Sequence, residues 1–217
     1  MSAPESGDRR PIAARDLALT GRVAGWLIRR RASPDGISLV GMAAGLLAGL
    51  CFAATWWWPD GARIFWLLGA ALVQLRLLAN LFDGMVAIGR NIASPLGELF
   101  NEVPDRVSDT AILLGLGFAA GGNWGLGLAA ALAAMATAYI RAVGKAAGAP
   151  SDFSGPMAKQ QRMALATALG LWCGVVPVSW RMLADWPLAG WVLVAITLLA
   201  TFTAWRRLSH VAKALKR

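Results

Sequence analysis

The chain has 217 residues, of which 57% are hydrophobic and 15% charged, and its mean hydropathy is +0.54. Soluble domains carry about 25% charged residues, so this composition excludes an ordinary soluble domain and a disordered chain. Several apolar stretches reach the roughly 20 residues that cross a bilayer as a helix. The chain is therefore predicted to be a single all-α, polytopic membrane domain.

The basic residues are spread along the chain and are not gathered in one surface. The net charge is +9, with 21 lysines and arginines against 12 acidic residues. Cations precede the first apolar stretch, follow the last one and lie between the others. This positive-inside pattern predicts no nucleic-acid partner and places both termini on the cytoplasmic side of a bacterial inner membrane.

Histidine and cysteine chemistry has little material in this sequence. Cys51 and Cys173 lie in apolar stretches without a C-x-x-C partner, which disfavours a disulfide or a zinc site. His210 is the single histidine, and we expect it to be solvated in a basic tail.

The predicted elements begin with a polar cytoplasmic tail over residues 1–13, which lacks the apolar core of a signal peptide. Residues 14–32 are predicted to form an interfacial amphipathic helix, with Leu19 and Trp26 on its apolar face. Residues 33–207 are predicted to hold six membrane-spanning helices, and residues 208–217 a basic cytoplasmic tail. The spans are expected at about 37–58, 62–88, 97–121, 124–146, 160–180 and 186–205.

Tryptophan and glycine positions support this topology. Tryptophan collects at membrane interfaces, and seven lie at the three turns predicted to be extracytoplasmic: Trp56, Trp57, Trp58, Trp66, Trp124, Trp180 and Trp186. Gly41, Gly45 and Gly49 repeat every four residues, a pattern that lets helices approach closely in lipid. We expect this glycine face to serve packing within the chain rather than a dimer contact.

Polar residues inside the predicted spans cluster in one place. The second span carries Arg76, Asn80 and Asp83. The third span begins with Glu98, Asn101, Glu102, Asp105, Arg106 and Asp109. At about 100° per residue, its four carboxylates form one stripe on the helix. Ionisable residues in a membrane are costly, so this cluster predicts a functional site or an internal pair.

The antiparallel register of these two spans places Arg76 and Asp109 at similar depth, which predicts a structural ion pair. The remaining oxygen ligands converge near the cytoplasmic face. Mg²⁺ and Mn²⁺ prefer such ligands and commonly bridge substrate phosphates, so we expect one or two divalent ions and a phosphate-bearing substrate. Gly84 and Gly97 flank the cluster, and without side chains they would let a nucleotide or pyrophosphate approach the backbone.

These residues carry a family resemblance. The signature D-x-x-D-G-x-x-A-R is followed, after eight or nine residues, by G-x-x-x-D-x-x-x-D. The chain resembles the CDP-alcohol phosphotransferases, or CDP-alcohol phosphatidyltransferases, through residues in the same register: Asn80, Asp83, Gly84, Ala87, Ile88, Gly97, Asn101 and Asp105. Residues 33–38 also resemble that family's Pro-Asn-x-x-Thr start, and the six spans with their interfacial helix cover almost the whole chain.

The resemblance implies an enzyme of phospholipid synthesis. Such enzymes transfer a substituted phosphate group from a CDP-alcohol to an acceptor hydroxyl and release CMP, usually with two divalent metals. CDP-diacylglycerol is the expected donor, and a homodimer is a family expectation. By resemblance, Asp83 is a metal ligand, Asp105 is a metal ligand and the general base, and Gly84, Ala87 and Gly97 line the cytidine and pyrophosphate site.

Three positions depart from the signature, since two aspartates are Asn80 and Asn101 and the arginine is Ile88. Asparagine still offers a carbonyl oxygen but attracts a divalent cation less strongly than a carboxylate. We expect a functional variant with one metal, or with two held partly by compensating glutamates. The full predicted metal set is Asp83, Asn80, Asn101, Asp105, Glu98 and Glu102. Arg90 is a candidate replacement for the lost arginine at the pyrophosphate, although it lies about 200° further around a continued helix.

The acceptor side has a weaker signal. Arg141, Lys159 and Arg162 could bind an acceptor phosphate, as basic residues near the corresponding loop do in family members that use phosphorylated alcohols. The positive-inside rule explains the same cations without any ligand, and the sequence does not decide between the two interpretations.

Two other functions stay open at this point. One is a catalytically silent relative that binds CDP-lipid with a weakened metal site. The other is an ion or phosphate transporter lined by the acidic stripe. The register of the signature favours the transferase, and a transporter would need polar residues across the membrane, where the outer halves of these spans are almost wholly apolar. The acceptor stays open among glycerol phosphate, inositol phosphate, serine and another alcohol.

Overall fold

The computed structural model describes residues 18–92 and 95–216, apart from the side chains of Ala18, Pro95, Leu96, Glu98 and Asn101. The predicted tail over 1–13 and the start of the predicted interfacial helix lie outside this range. The described part of the chain holds seven α-helices: α1 (Ala18–Arg29), α2 (Pro34–Trp57), α3 (Ala62–Gly89), α4 (Pro95–Ala119), α5 (Trp124–Ala146), α6 (Lys159–Val175) and α7 (Leu188–Ala214).

Local capping explains where several helices begin. The Ser33 hydroxyl oxygen accepts a hydrogen bond from the Gly36 N–H at 3.3 Å, and Pro34 occupies the first helical position of α2. The Asn123 side-chain oxygen accepts from the Leu126 N–H at 3.1 Å at the start of α5. These two helices therefore begin where the sequence supplies a capping side chain.

Two helix ends differ from the prediction. The fifth predicted span extended to residue 180, but α6 ends at Val175 because Pro177 cannot continue a helix. A short 3₁₀ turn and a two-residue hairpin follow, in which β1 (Met182–Leu183) pairs antiparallel with β2 (Trp186–Pro187). The last helix continues through the predicted tail to Ala214, where Val211 packs against Gly144 of α5.

The chain is a polytopic membrane protein, and its described part is all-α apart from this small hairpin. Within the described ranges, length and composition mark four segments as able to cross a membrane. They are α2, α5, α7 and the segment Pro59–Gly89 that contains α3. Of the two remaining long helices, α4 carries the acidic stripe and α6 has 17 residues.

The glycine face of α2 packs inside the chain, which confirms that part of the prediction. Gly41 faces Ala79 of α3, Gly45 faces Ser108 of α4, and Gly49 faces the Ala111 backbone of α4. This helix is therefore wedged between α3 and α4 at short backbone distances.

The hydrophobic core lies between the helices of the bundle. The rings of Phe52 and Trp66 meet at a centroid distance of 5.5 Å, and Trp66 is 5% exposed. Trp66 is thus a core residue, and its prediction as an interface marker is wrong, because it lies one turn inside α3 and faces α2. Of the other predicted interface tryptophans, Trp56, Trp57, Trp58, Trp124 and Trp180 are more than half exposed.

Helix α1 lies against the end of α3 and leaves one apolar side open. Thr20 and Ala24 are buried, and Ile28 packs against Gly89. Leu19 and Trp26 are 71% and 51% exposed on the same helix. This arrangement is the one expected of a helix that contacts protein on one side and a membrane interface on the other.

We predict that Gly115→Ala destabilises the bundle. A Cβ at residue 115 would overlap the backbone of Gly49, so α2 and α4 would have to separate, at a cost of about 1–3 kcal/mol. The melting temperature of the purified protein in detergent measures this cost. Gly125→Ala is the matched control, because the nearest atom to its new Cβ is 3.9 Å away. Equal melting temperatures for the two variants would contradict the proposed close crossing.

Candidate functional site

The charged residues of the spans meet at one end of the bundle. Successive helices alternate in direction, so the starts of α2, α4 and α6 lie at the same end as the finishes of α3, α5 and α7. This end carries the signature residues and the connection between α5 and α6.

A buried ion-pair network joins three helices there. The Arg76 Nη2 atom donates to Asp109 Oδ1 at 2.5 Å and to Asp105 Oδ1 at 3.2 Å. Arg162 Nη2 donates to the other Asp109 oxygen at 3.0 Å. The predicted Arg76–Asp109 pair is present, and Arg162 is an additional partner, because α6 packs against α3 and its Arg162 side chain reaches Asp109 of α4.

Asp105 lies one turn before Asp109 and is surrounded by donors. Its Oδ1 accepts from the Asn80 side-chain amide at 2.8 Å and from Arg76, and its Oδ2 accepts from the Lys159 ammonium group. The predicted general base is therefore held between a neutral amide and two cations. Asp105 is 6% exposed, so these contacts take place largely out of water.

Asp83 has a different environment. Its Oδ2 accepts from the Ser38 hydroxyl at 2.6 Å, and its Oδ1 accepts from the Gly84 N–H at 2.5 Å. Both donors are neutral. Ser38 was not among the predicted site residues, although it stands where the family's Pro-Asn-x-x-Thr start has its threonine.

Glu102 was predicted as a compensating metal ligand, but the structure pairs it with arginines. Its two carboxylate oxygens accept from Arg141 and, at 3.3 Å, from Arg106. The reason is that α5 brings Arg141 alongside the first turns of α4. Of the other predicted ligands, Glu98 and Asn101 have side chains outside the described part, and their role stays a prediction.

A cavity of about 420 Å³ opens beside Asp105. Its charged lining residues are Glu102, Asp105, Arg106, Arg141, Lys159, Arg162 and Arg207. All three predicted acceptor-binding residues thus line one cavity together with Asp105 and Asn80. The lining has an excess of positive charge, which suits an anionic ligand.

The predicted nucleotide-binding residues lie elsewhere. Gly84, Ala87, Gly97 and Arg90 are outside the lining of this cavity. The Arg90 guanidinium donates to the backbone carbonyls of Arg31 and Ala32, at 3.1 and 2.7 Å. Because α3 ends at Gly89, Arg90 closes the link between α1 and α2 instead of continuing along the helix towards a pyrophosphate.

The connection between α5 and α6, residues 147–158, covers one side of the cavity, and we call it the cavity roof. It is hydrogen-bonded to α7. Phe153 lines the cavity with the Arg141 guanidinium 5.0 Å from its ring centre. Arg207 Nε donates to the Ser154 carbonyl at 3.0 Å, while its Nη1 donates to the Thr137 carbonyl at 3.0 Å. Arg207 was not among the predicted site residues, since nothing in the sequence spacing links it to this connection.

His210 extends the same attachment and is not simply solvated. Its Nδ1 lies 2.9 Å from Asp152 Oδ2, and the Ser154 N–H donates to Asp152 Oδ1 at 2.8 Å. Partial burial raises the pKa of Asp152, but hydrogen bonds from Ser154 and His210 and the charge of Arg207 outweigh it and lower that pKa below its usual value. Asp152 is therefore ionised at neutral pH and available to hold the roof.

The described donors suit one divalent ion at Asp83. No three Asp, Glu, His or Cys side chains are grouped to hold a metal among the residues described. Asp83 offers a carboxylate free of bonded cations, and Asn80 offers an amide oxygen one turn earlier, since its nitrogen donates to Asp105. Mg²⁺ commonly uses one or two carboxylates with substrate phosphates and water. The Asp105 carboxylate, in contrast, is already bonded to cations.

Fold and site together define a class: an integral membrane protein with a cation-lined cavity beside buried carboxylates at one end of a helical bundle. Comparison with models of known protein families gives no match. The phosphatidylinositol phosphate synthase of Streptomyces avermitilis is 30% identical over 204 residues, which cover 88% of this chain and 79% of the relative. The enzyme of the same name from Mycobacteroides abscessus is 29% identical over 185 residues, or 82% and 80% of the two chains.

Two further comparisons agree with these. The inner membrane protein YnbA of Escherichia coli is 27% identical over 176 residues, covering 81% of this chain and 83% of YnbA. The phosphatidylinositol phosphate synthase of Mycobacterium tuberculosis has a similar fold, with TM-scores of 0.68 for its crystal structure with CDP-DAG and 0.70 for that with manganese and citrate. These structures are 22% and 23% identical and cover 90% of this chain, which itself covers 94% and 90% of theirs. The chain belongs to the CDP-alcohol phosphatidyltransferase family.

We predict that Asp109→Asn lowers the stability of the protein by about 3–5 kcal/mol. The amide has nearly the same shape, but Arg76 and Arg162 lose the one carboxylate that they share, which leaves buried positive charge without compensation. Melting in detergent measures the loss, with the exposed Asp60→Asn as control. A melting temperature equal to that of the control would contradict the structural role of the pair.

We predict that Arg207→Met loosens the cavity roof. Loss of two hydrogen bonds from a charged donor should speed hydrogen exchange of residues 150–158 by about tenfold or more. Hydrogen–deuterium exchange with mass spectrometry reads this segment directly. Arg206→Met is the matched control, and similar exchange in both variants would rule out Arg207 as the anchor.

Proposed function

We propose that this protein is a membrane phosphotransferase of phospholipid biosynthesis. It transfers a phosphatidyl, or substituted phosphate, group from a CDP-alcohol such as CDP-diacylglycerol to an acceptor alcohol and releases CMP. One observation carries this proposal: Asp105 lies at the cavity wall beside Asn80, Lys159 and Arg162, so a candidate base and anion-binding groups share one space. The names of the synthase relatives and the CDP-DAG in the similar crystal structure support it.

Asp105 acts as the general base in this proposal. Its carboxylate accepts the proton of the acceptor hydroxyl while that oxygen forms a bond to the phosphorus of the lipid phosphate. The bond from that phosphorus to the CMP oxygen breaks, and the electron pair leaves with CMP. Asn80 and Arg76 orient the carboxylate through hydrogen bonds of 2.8 and 3.2 Å, so its position is set before the substrates arrive.

The divalent ion, Mg²⁺ or Mn²⁺, would be held by Asp83 and Asn80, with Glu98 and Asn101 as predicted further ligands, and would offset the charge of the pyrophosphate. Ser38 holds the Asp83 carboxylate in place from α2. Gly84, Ala87 and Gly97 stay the proposed lining for the cytidine and pyrophosphate. Manganese in the similar crystal structure supports a metal in this family.

The acceptor is proposed to be a phosphorylated alcohol. The cavity is lined by five cations and two carboxylates, and both carboxylates are themselves bonded to cations. Arg141, Lys159 and Arg162 would hold the acceptor phosphate through charge-assisted hydrogen bonds. A plain alcohol would carry no charge to complement these cations.

The site is proposed to face the cytoplasm in a six-span topology. Helices α4 and α6 would complete the bundle as the third and fifth spans, shielded from lipid by their apolar neighbours. Both termini and the cavity would then lie on the inner side of a bacterial inner membrane, in agreement with the distribution of cations. The inner membrane protein YnbA is similar over 81% of this chain, which supports that membrane.

A catalytically silent relative is the second candidate function. The observation that favours it is the pair of asparagines at Asn80 and Asn101, together with the Lys159 ammonium group on Asp105. Such a protein would bind CDP-lipid without releasing CMP.

We predict CMP release by the purified protein with CDP-diacylglycerol, a divalent ion and one of a panel of phosphorylated and plain alcohols. Asp105→Asn should lower the rate by about 10²–10⁴-fold, because the base is lost. Asp60→Asn, an exposed carboxylate, should leave it unchanged. No CMP under any condition, despite measurable binding of CDP-diacylglycerol, would identify the silent relative instead.

A further inference from the structure

The ammonium group of Lys159 is held beside the Asp105 carboxylate. Lys159 is the first residue of α6, and its side chain crosses to α4, where it bonds to Asp105 Oδ2. The backbone beneath it is fixed on both sides, because the Ala158 N–H donates to Gln161 Oε1 at 2.8 Å and Arg162 Nη1 donates to the Met157 carbonyl at 2.6 Å. The side chain of Lys159 therefore extends to Asp105 from a helix start that is held by hydrogen bonds.

The charge balance around Asp105 differs from that around Asp83. Each Asp105 oxygen accepts a hydrogen bond from a cation, Arg76 on Oδ1 and Lys159 on Oδ2, and Oδ1 also accepts from the Asn80 amide. The two Asp83 oxygens accept from neutral donors, the Ser38 hydroxyl and the Gly84 N–H. A fixed ammonium ion repels a divalent cation and already supplies positive charge to the carboxylate. The neighbouring signature position, Asn80, adds no negative charge that would offset this repulsion.

We propose that the Lys159 ammonium group is the resident cation of the Asp105 half of the site, in the place of a metal ion, and that the chain binds a single divalent ion at Asp83. This rests on the proposed function only for the identity of the ligand. An anionic group that enters the cavity then meets Lys159 and Arg162 directly, so the protein itself supplies the positive charge on that side.

Manganese titration of the full chain in lipid nanodiscs tests the proposal, with free Mn²⁺ followed by electron paramagnetic resonance. The wild-type protein should bind one Mn²⁺ per chain. Asn80→Asp should also bind one, because Lys159 still occupies the second position. Asn80→Asp combined with Lys159→Met should bind two, since a carboxylate is gained where the ammonium ion is lost.

Two controls keep this test decisive. Asn80→Asp with Lys159→Arg retains a cation and should bind one Mn²⁺, as should Asn80→Asp with Lys213→Met, which removes an exposed lysine at the end of α7. Two ions or none on the wild-type chain, or two on Asn80→Asp alone, would overturn the proposal. The titrations of the wild-type chain and of Asn80→Asp test the proposal even if the variant with Lys159→Met does not fold. Where that double variant folds, failure to gain the second ion would also overturn it.

The outcome is separable from that of the proposed function. One bound Mn²⁺ without any CMP release would reject the transferase and leave the role of Lys159 intact. CMP release by a wild-type chain that binds two Mn²⁺ would do the reverse.

Discussion

The charged end of this bundle depends on one carboxylate shared by two arginines. Asp109 of α4 is bonded to Arg76 of α3 and Arg162 of α6, and the side chains of both arginines are 1% exposed. Separating such groups in a medium of low dielectric leaves buried charge without compensation, so the three helices are held at one spacing. Asp105 lies one turn away on the same helix. Its position at the cavity therefore follows from a structural ion pair and not from contact with lipid.

Features set by helical periodicity were open to prediction from the sequence, and features set by contacts between distant helices were not. The bounds of α5, the internal packing of Gly45 and the Arg76–Asp109 pair all follow from spacing along one or two helices. The extension of α7 does not, because it depends on Val211 fitting against Gly144. The same limit explains why an apolar position such as Trp66 was assigned to the membrane interface.

The site shows this division more clearly. The signature register predicted Asp83 and Asp105 as residues of one site, and Asn80, one turn before Asp83 on α3, is bonded to Asp105 of α4. The signature did not predict which cations bond to these carboxylates. Lys159 comes from a helix start 54 residues beyond Asp105, and its contact with that carboxylate is a product of tertiary packing. In this chain the signature therefore indicates the carboxylates, while the lysine bonded to Asp105 comes from a helix outside the signature.

The length of α7 determines where a fusion partner can be attached near the end of this chain. Residues beyond about 205 look dispensable in a hydropathy profile, because the apolar run is over and the composition is basic. Arg207 and His210 nevertheless attach the cavity roof from this segment, through Ser154 and Asp152. A reporter fused after Ala214 would leave that attachment in place, whereas one that replaces the last turns would separate the cavity from its cover.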